Sequence, residues 1–145
     1  MIALLQRVAW AKVMLGQETV GEIEKGLLVF LGIEKTDREE QVPELMDRLT
    51  RLRIFEDAAG KMNRNVRETS GAVLIVSQFT LAADLSRGLR PSFDTAAPPD
   101  RAQPIYRLAV ETLRNLGIPT ATGRFGARME VSLCNDGPVT FILKG

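Results

Sequence analysis

Gly26-Leu27-Leu28-Val29-Phe30-Leu31-Gly32 sets five consecutive apolar residues between two glycines. The run has the length of a strand and no polar face, so it reads as a strand buried on both sides. Upstream, residues 2–8 and 13–15 read as short strands and Glu18–Ile23 as a third, with Gly16, Gly21 and Gly26 punctuating a meander. Downstream, Thr36 followed three residues later by Glu39 has the form of a capping box. Val42, Leu45, Met46, Leu49 and Leu52 then recur at helical spacing, which predicts a helix over 37–52.

Residues 53–56 resume as a strand, Asp57-Ala58-Ala59-Gly60 is a turn, and 72–79 is a second buried strand behind the breaker Gly71. Residues 83–99 contain Pro91, Pro98, Pro99 and Gly88 without sustained periodicity, predicting a long loop of the kind that usually serves function. Asp100 with Gln103 repeats the N-cap pattern, and Pro104 falls in the tolerated first turn. Ile105, Leu108, Ala109, Leu113 and Leu116 fill one helical face before Gly117 and Pro119 stop it. Met129, Val131 and Leu133 alternate along a strand over 128–134, Asn135-Asp136-Gly137-Pro138 reads as a turn, and 139–143 return as the last strand. Many short strands with two long helices, no repeat and no linker make an α+β domain over residues 1–145, with a mixed or mostly antiparallel, barrel-like sheet.

The composition narrows the chemistry. A net charge of +1 is not the basic footprint of a protein that grips long nucleic acid, so any RNA contact must be local. Fourteen of the 19 cations are Arg, whose planar fork suits phosphate. There is no histidine, which removes the usual general base and the commonest metal ligand, and with Cys134 as the one cysteine neither a zinc site nor an internal disulfide is expected. No cofactor is implied. Arg7 interrupts the N-terminal apolar stretch where a signal peptide would need continuity, and no apolar run approaches the 18 residues of a membrane span, so a cytoplasmic protein is expected.

Two segments remain that carry polar groups at element ends: Ser77-Gln78-Phe79-Thr80-Leu81 closing the second buried strand, and Asn135-Asp136-Gly137-Pro138-Val139-Thr140. The first offers polar side chains and successive backbone N–H groups where a ladder stops, a way to build an oxyanion site without histidine. Local sequence on its own favours the plainer role, in which Ser77 and Thr80 satisfy strand-end backbone groups. Likewise an isolated Asp-Gly-Pro is an ordinary turn, Arg7 an ordinary ion-paired strand residue, and Phe125 and Met129 ordinary core. Arg87 and Arg90 in the loop, and Arg48, Arg51 and Arg53 by the first helix, read as solvated cations, with acceptor-stem phosphates as the alternative.

Together the two segments resemble the paired signature of the D-aminoacyl-tRNA deacylases. The resemblance extends along the chain through Leu5-Gln6-Arg7-Val8, Leu52-Arg53-Ile54-Phe55, Gly60-Lys61-Met62-Asn63, Gly88-Leu89-Arg90-Pro91-Ser92-Phe93 and Thr122-Gly123-Arg124-Phe125-Gly126-Ala127-Arg128-Met129. It implies a homodimeric ester hydrolase acting on the aminoacylated 3′ end of tRNA. Ser77, Gln78, Phe79 and Thr80 would form the catalytic strand end, the N–H groups of Phe79 and Thr80 binding the ester carbonyl. Asn135, Gly137, Pro138 and Val139 would bring a cis Gly-Pro peptide from one subunit into the other's site, where rigid backbone admits a D-residue and clashes with an L side chain. Glycyl-tRNA would be a second substrate. Arg7 would brace that element, and Phe125 and Met129 would lie near the terminal adenine. Thr80 as nucleophile lacks a base, so the resemblance implies help from the substrate's own 2′-hydroxyl. A non-catalytic module holding RNA ends or nucleotides, and a small-molecule esterase using Thr80 or Ser77, are the competing readings.

Overall fold

Both faces of the strand at Gly26–Gly32 are indeed buried, each in a different core. Leu27, Val29 and Leu31 join the larger cluster, which includes Leu45, Met46, Leu49, Ala109 and Leu113 from the two helices. Leu28 points the other way, into a smaller cluster with Val8, Val13, Leu74 and Val76. The period-two alternation of a strand thus separates a sheet-to-helix layer from a barrel interior.

The computed structural model describes residues 1–86 and 88–145, so Arg87 lies outside the described residues. The strands are β1 (Ile2–Leu15), β2 (Glu18–Ile23), β3 (Gly26–Gly32), β4 (Phe55–Glu56), β5 (Met62–Arg64), β6 (Ala72–Ser77), β7 (Thr120–Thr122) and β8 (Glu130–Lys144); the α-helices are α1 (Val42–Arg51) and α2 (Pro99–Asn115). β1 pairs antiparallel with β3 through its first half and with β2 through its second, while its other edge carries β8 along its length. β6 runs parallel to β3, and β7 parallel to β6. Parallel neighbours need crossover connections, and α1 and α2 lie in those two connections, packed on the same outer core. The sheet then curls until β2 meets β7: a Cβ on Gly21 would stand 2.3 Å from the Thr122 carbonyl oxygen. The result is the expected α+β class, a mixed sheet closed almost into a barrel with two helices outside it.

Several boundaries differ from the sequence expectation. β1 is unbroken where two strands were expected, because its ladder to β8 continues through Trp10↔Cys134 and Ala11↔Leu133 while a register shift leaves both Ala9 and Trp10 exposed and spoils the alternation. Asn135-Asp136-Gly137-Pro138 does not reverse the chain. Asn135 stands opposite Val8 and Thr140 opposite Gln6, so residues 136–139 swell out as a bulge facing Arg7, and β8 keeps its direction. The first helix opens later than expected, with a 3-10 turn at Glu39–Gln41 whose N-cap is Arg38 rather than Thr36. Asp37 serves elsewhere: its buried carboxylate accepts the Met1 ammonium at 2.5 Å and the Glu34 N–H at 2.7 Å. β6 stops at Ser77 instead of 79, and α2 starts at Pro99, ahead of Asp100. β5 and β7, three residues each, were not anticipated.

Candidate functional site

Strand β6 ends beside β3, where the Gln78 N–H still donates to the Leu31 carbonyl at 2.8 Å. The chain then tightens into a 3-10 turn at Phe79–Ala82. The first N–H groups of such a turn, those of Phe79 and Thr80, have no carbonyl one turn back to donate to. Over this strand end opens a pocket of about 600 Å³. It is lined by Leu31, Val76, Ser77, Gln78 and Phe79 around the strand end, by Phe93 and the stretch from Ala96 to Pro99, and by Phe125, Gly126, Ala127 and Met129. Among the described residues, no ionisable side chain lines it.

Five of the expected site residues therefore share one cavity: Ser77, Gln78, Phe79, Phe125 and Met129. Thr80 is not on its wall. It is exposed, and its Oγ1 accepts the Gln78 Nε2–H at 2.5 Å, so the hydroxyl orients the neighbouring amide. Phe125 is held from behind by Tyr106 of α2, ring centroids 5.7 Å apart. The Tyr106 hydroxyl donates to the Ile75 carbonyl at 2.9 Å, and burial pushes its pKa up to about 12. Met129 folds back on its own turn: the Arg124 N–H donates to its sulfur at 3.3 Å, and a Cβ on Gly123 would come within 2.7 Å of that sulfur.

The other expected residues gather at the bulge in β8, and none of them lines the pocket of the same chain. The Asn135 side chain clamps the base of the bulge, its Oδ1 accepting the Val139 N–H at 2.6 Å and its Nδ2 donating to the Val139 carbonyl at 3.2 Å. Arg7, 5% exposed, donates from Nε to the Asp136 carbonyl and from a terminal nitrogen to the Ile54 carbonyl, both at 2.8 Å. The Asp136 and Glu56 carboxylates, at 3.5 and 3.6 Å, balance its charge. The Gly137-Pro138 peptide is cis, and Gly137 sits at φ +148°. A Cβ there would stand 2.5 Å from Val139 Cγ2 and 2.9 Å from the Val139 nitrogen, so only glycine fits. Arg7, Asn135, Gly137, Pro138 and Val139 are thus one braced unit on an edge strand.

Sequence reasoning gave no site role to any residue of the pocket wall between Phe93 and Ala102, although it marked 83–99 as a functional loop from its length and three prolines. Tyr106 was missed altogether, since on α2 it carries no signal beyond an aromatic at a buried spacing.

The chain matches the family described as D-Tyr-tRNA(Tyr) deacylase over residues 4–144. It is 56% identical over 144 residues to the D-aminoacyl-tRNA deacylase of Geobacter metallireducens, covering 99% of this chain and 95% of that one. Against the D-aminoacyl-tRNA deacylase of Salmonella enteritidis the identity is 57% over 144 residues, with 99% of each chain covered. Among solved structures, a c-Myc DNA unwinding element binding protein superposes with a TM-score of 0.95 at 37% identity, covering 100% of this chain and 99% of the other. A probable eukaryotic D-amino acid tRNA deacylase shares the fold, with a TM-score of 0.85 at 16% identity over 98% of this chain and 97% of that one.

Proposed function

Because this chain belongs to the D-Tyr-tRNA(Tyr) deacylase family, we propose that it hydrolyses the ester bond of D-aminoacyl-tRNA, releasing the D-amino acid and free tRNA. The observation that carries the chemistry is a pocket that no ionisable side chain lines among the described residues, set at a strand end with two unengaged N–H groups, in a chain without histidine. An aminoacyl ester is already reactive, and such a site acts by holding it and by stabilising charge on its carbonyl oxygen. In this reading the N–H groups of Phe79 and Thr80 do the latter, and one donor of this kind typically contributes about 3 kcal/mol. With no base beside Thr80, activation of water falls to the 2′-hydroxyl of the terminal adenosine, and the protein supplies orientation. Phe125 and Met129 offer an aromatic face and a soft thioether to the adenine.

Chirality is read by the braced bulge, acting across a two-fold dimer. Within one chain the Gly137-Pro138 element and the pocket belong to different groups of residues, so the element serves the partner's pocket. Two features support that assembly. β8 pairs only with β1, leaving fifteen residues of outer edge without a partner strand among the described residues, and Phe141 and Ile142 are exposed along it. A surface of that kind is either covered or a liability, and a two-fold axis covers it with its own copy. Main-chain carbonyls of the inserted bulge accept the amino group of a D-residue and collide with an L side chain. Glycine has none, so glycyl-tRNA is a second substrate.

Matched D- and L-tyrosyl-tRNA decide the matter. Release from the D form alone is expected; comparable release from both, or none from the D form, ends this reading. Saturable binding with no turnover would favour a module that only holds RNA ends, and turnover of esters lacking a nucleoside would favour a general esterase working through Thr80 or Ser77.

A further inference from the structure

The rim of the pocket carries an aromatic pair that the deacylation chemistry leaves unused. Phe79 and Phe93 are 57% and 41% exposed, their ring centroids 4.9 Å apart and their planes inclined by 59°. Neither ring belongs to either hydrophobic core. Phe93 is nevertheless presented from fixed backbone. Its neighbour Ser92 exchanges two main-chain bonds with Asp84, at 2.8 and 3.0 Å, its own carbonyl accepts the Ala96 N–H at 3.0 Å, and the Thr95 carbonyl accepts the Lys35 N–H at 2.9 Å. Rings held in place yet open to water present a face for a flat apolar ligand.

The position of the pair selects that ligand. The uncharged pocket behind it suits a terminal nucleoside, whereas the phosphodiester chain leading to that nucleoside has to pass over the rim. Unpaired nucleic acid is gripped by aromatic faces beside cations that follow its backbone. Arg90, exposed and without an ion pair among the described residues, lies three residues before Phe93. We propose that the Phe79–Phe93 pair is a stacking platform for the nucleobase preceding the terminal adenosine, so that the rim recognises an unpaired polynucleotide 3′ end while the pocket recognises the aminoacyl nucleoside. The proposal rests on the deacylase reading and adds a second contact to it.

The test uses Phe93, because the Phe79 N–H belongs to the proposed oxyanion site. Leucine keeps an apolar side chain but has no aromatic face, and tryptophan enlarges that face, so Phe93→Leu and Phe93→Trp are compared on two substrates: a D-tyrosyl minihelix with an unpaired 3′ end, and D-tyrosyl-adenosine. On the minihelix, Phe93→Leu is expected to have a KM roughly tenfold or more above that of Phe93→Trp, with similar kcat, in line with the worth of one base stacked on one ring. On the nucleoside ester, which meets Phe93 only as pocket lining, the gap between the two variants should be several-fold smaller than on the minihelix. Equal KM on the minihelix overturns the platform, as does an equal gap on both substrates, which would make Phe93 a plain pocket wall. Dissociation of the Phe93→Leu protein into monomers, measured by sedimentation, overturns it too, because the pair would then be covered by the partner subunit. A wild-type protein that turns over neither substrate rejects the deacylase reading itself, whereas wild-type turnover with matching variants rejects the platform alone.

Discussion

Thr80 is where a single side chain discriminates between mechanisms. Its hydroxyl is engaged by the Gln78 amide and lies off the pocket wall, so Thr80→Ala is expected to lower kcat by less than about tenfold, well short of the ~10²–10⁴ that losing an acid or base costs. A far deeper loss, with an unchanged melting temperature, would restore covalent catalysis. Tyr106 tests how Phe125 is held. Burial raises its pKa from 10.0 to about 12, so between those values the folded protein keeps a proton that the unfolded chain has released. The associated stability is complete below pH 10 and is lost as pH rises toward 12, by up to about 2–3 kcal/mol. Tyr106→Phe is expected to give up about 1 kcal/mol at neutral pH, since the Ile75 carbonyl still accepts the Gly123 N–H, and to lack the alkaline decline. Urea midpoints of both proteins at pH 8 and 11 check the difference.

At the level of elements, the bulge in β8 depends on the Asn135 clamp. Asn135→Ala leaves the N–H of the buried Val139 without its acceptor, and a loss of about 1–3 kcal/mol is expected in thermal melts. Under the proposed mechanism the same variant should release L-tyrosyl-tRNA more readily relative to D, because the backbone that excludes the L side chain is no longer held. This element also marks the boundary of what could be read from the sequence. Asn-Asp-Gly-Pro has the chemistry of a tight turn, and nothing local tells a reversal from a bulge; the difference lies in Gln6 and Val8, more than a hundred residues away, which keep both flanks paired to β1. The buried runs of β3 and β6 and the apolar stripes of α1 and α2 were legible because burial imposes their periods directly. β5 and β7 are too short to show a period and form only because a neighbouring strand lies alongside. Of the candidate site, the strand-end and bulge residues were singled out through the resemblance of their motifs, whereas the wall from Phe93 to Ala102 is assembled by a loop whose path has no pattern together with the first turn of α2.

For the whole molecule, the decisive expectation is that one copy does not make a complete site. Ile142, 62% exposed on the outer edge of β8, can accept a charge without disturbing the core of its own chain. Ile142→Lys is therefore expected to yield a folded monomer with little deacylase activity, seen as a halved mass in sedimentation and a circular dichroism spectrum like that of the wild type. A monomer that still deacylates D-tyrosyl-tRNA at the wild-type rate would refute insertion across subunits. The pocket's lack of ionisable walls reaches further still. Among the described residues the cleft's lining neither takes up nor gives off protons, so no wall contributed by its own chain makes the rate sensitive to acidity. Between about pH 6 and 8 the ratio of its rate to spontaneous ester breakdown should stay level, any slope belonging to the amine of the substrate, and proofreading would hold its pace through swings in cellular pH that quench histidine-driven hydrolases.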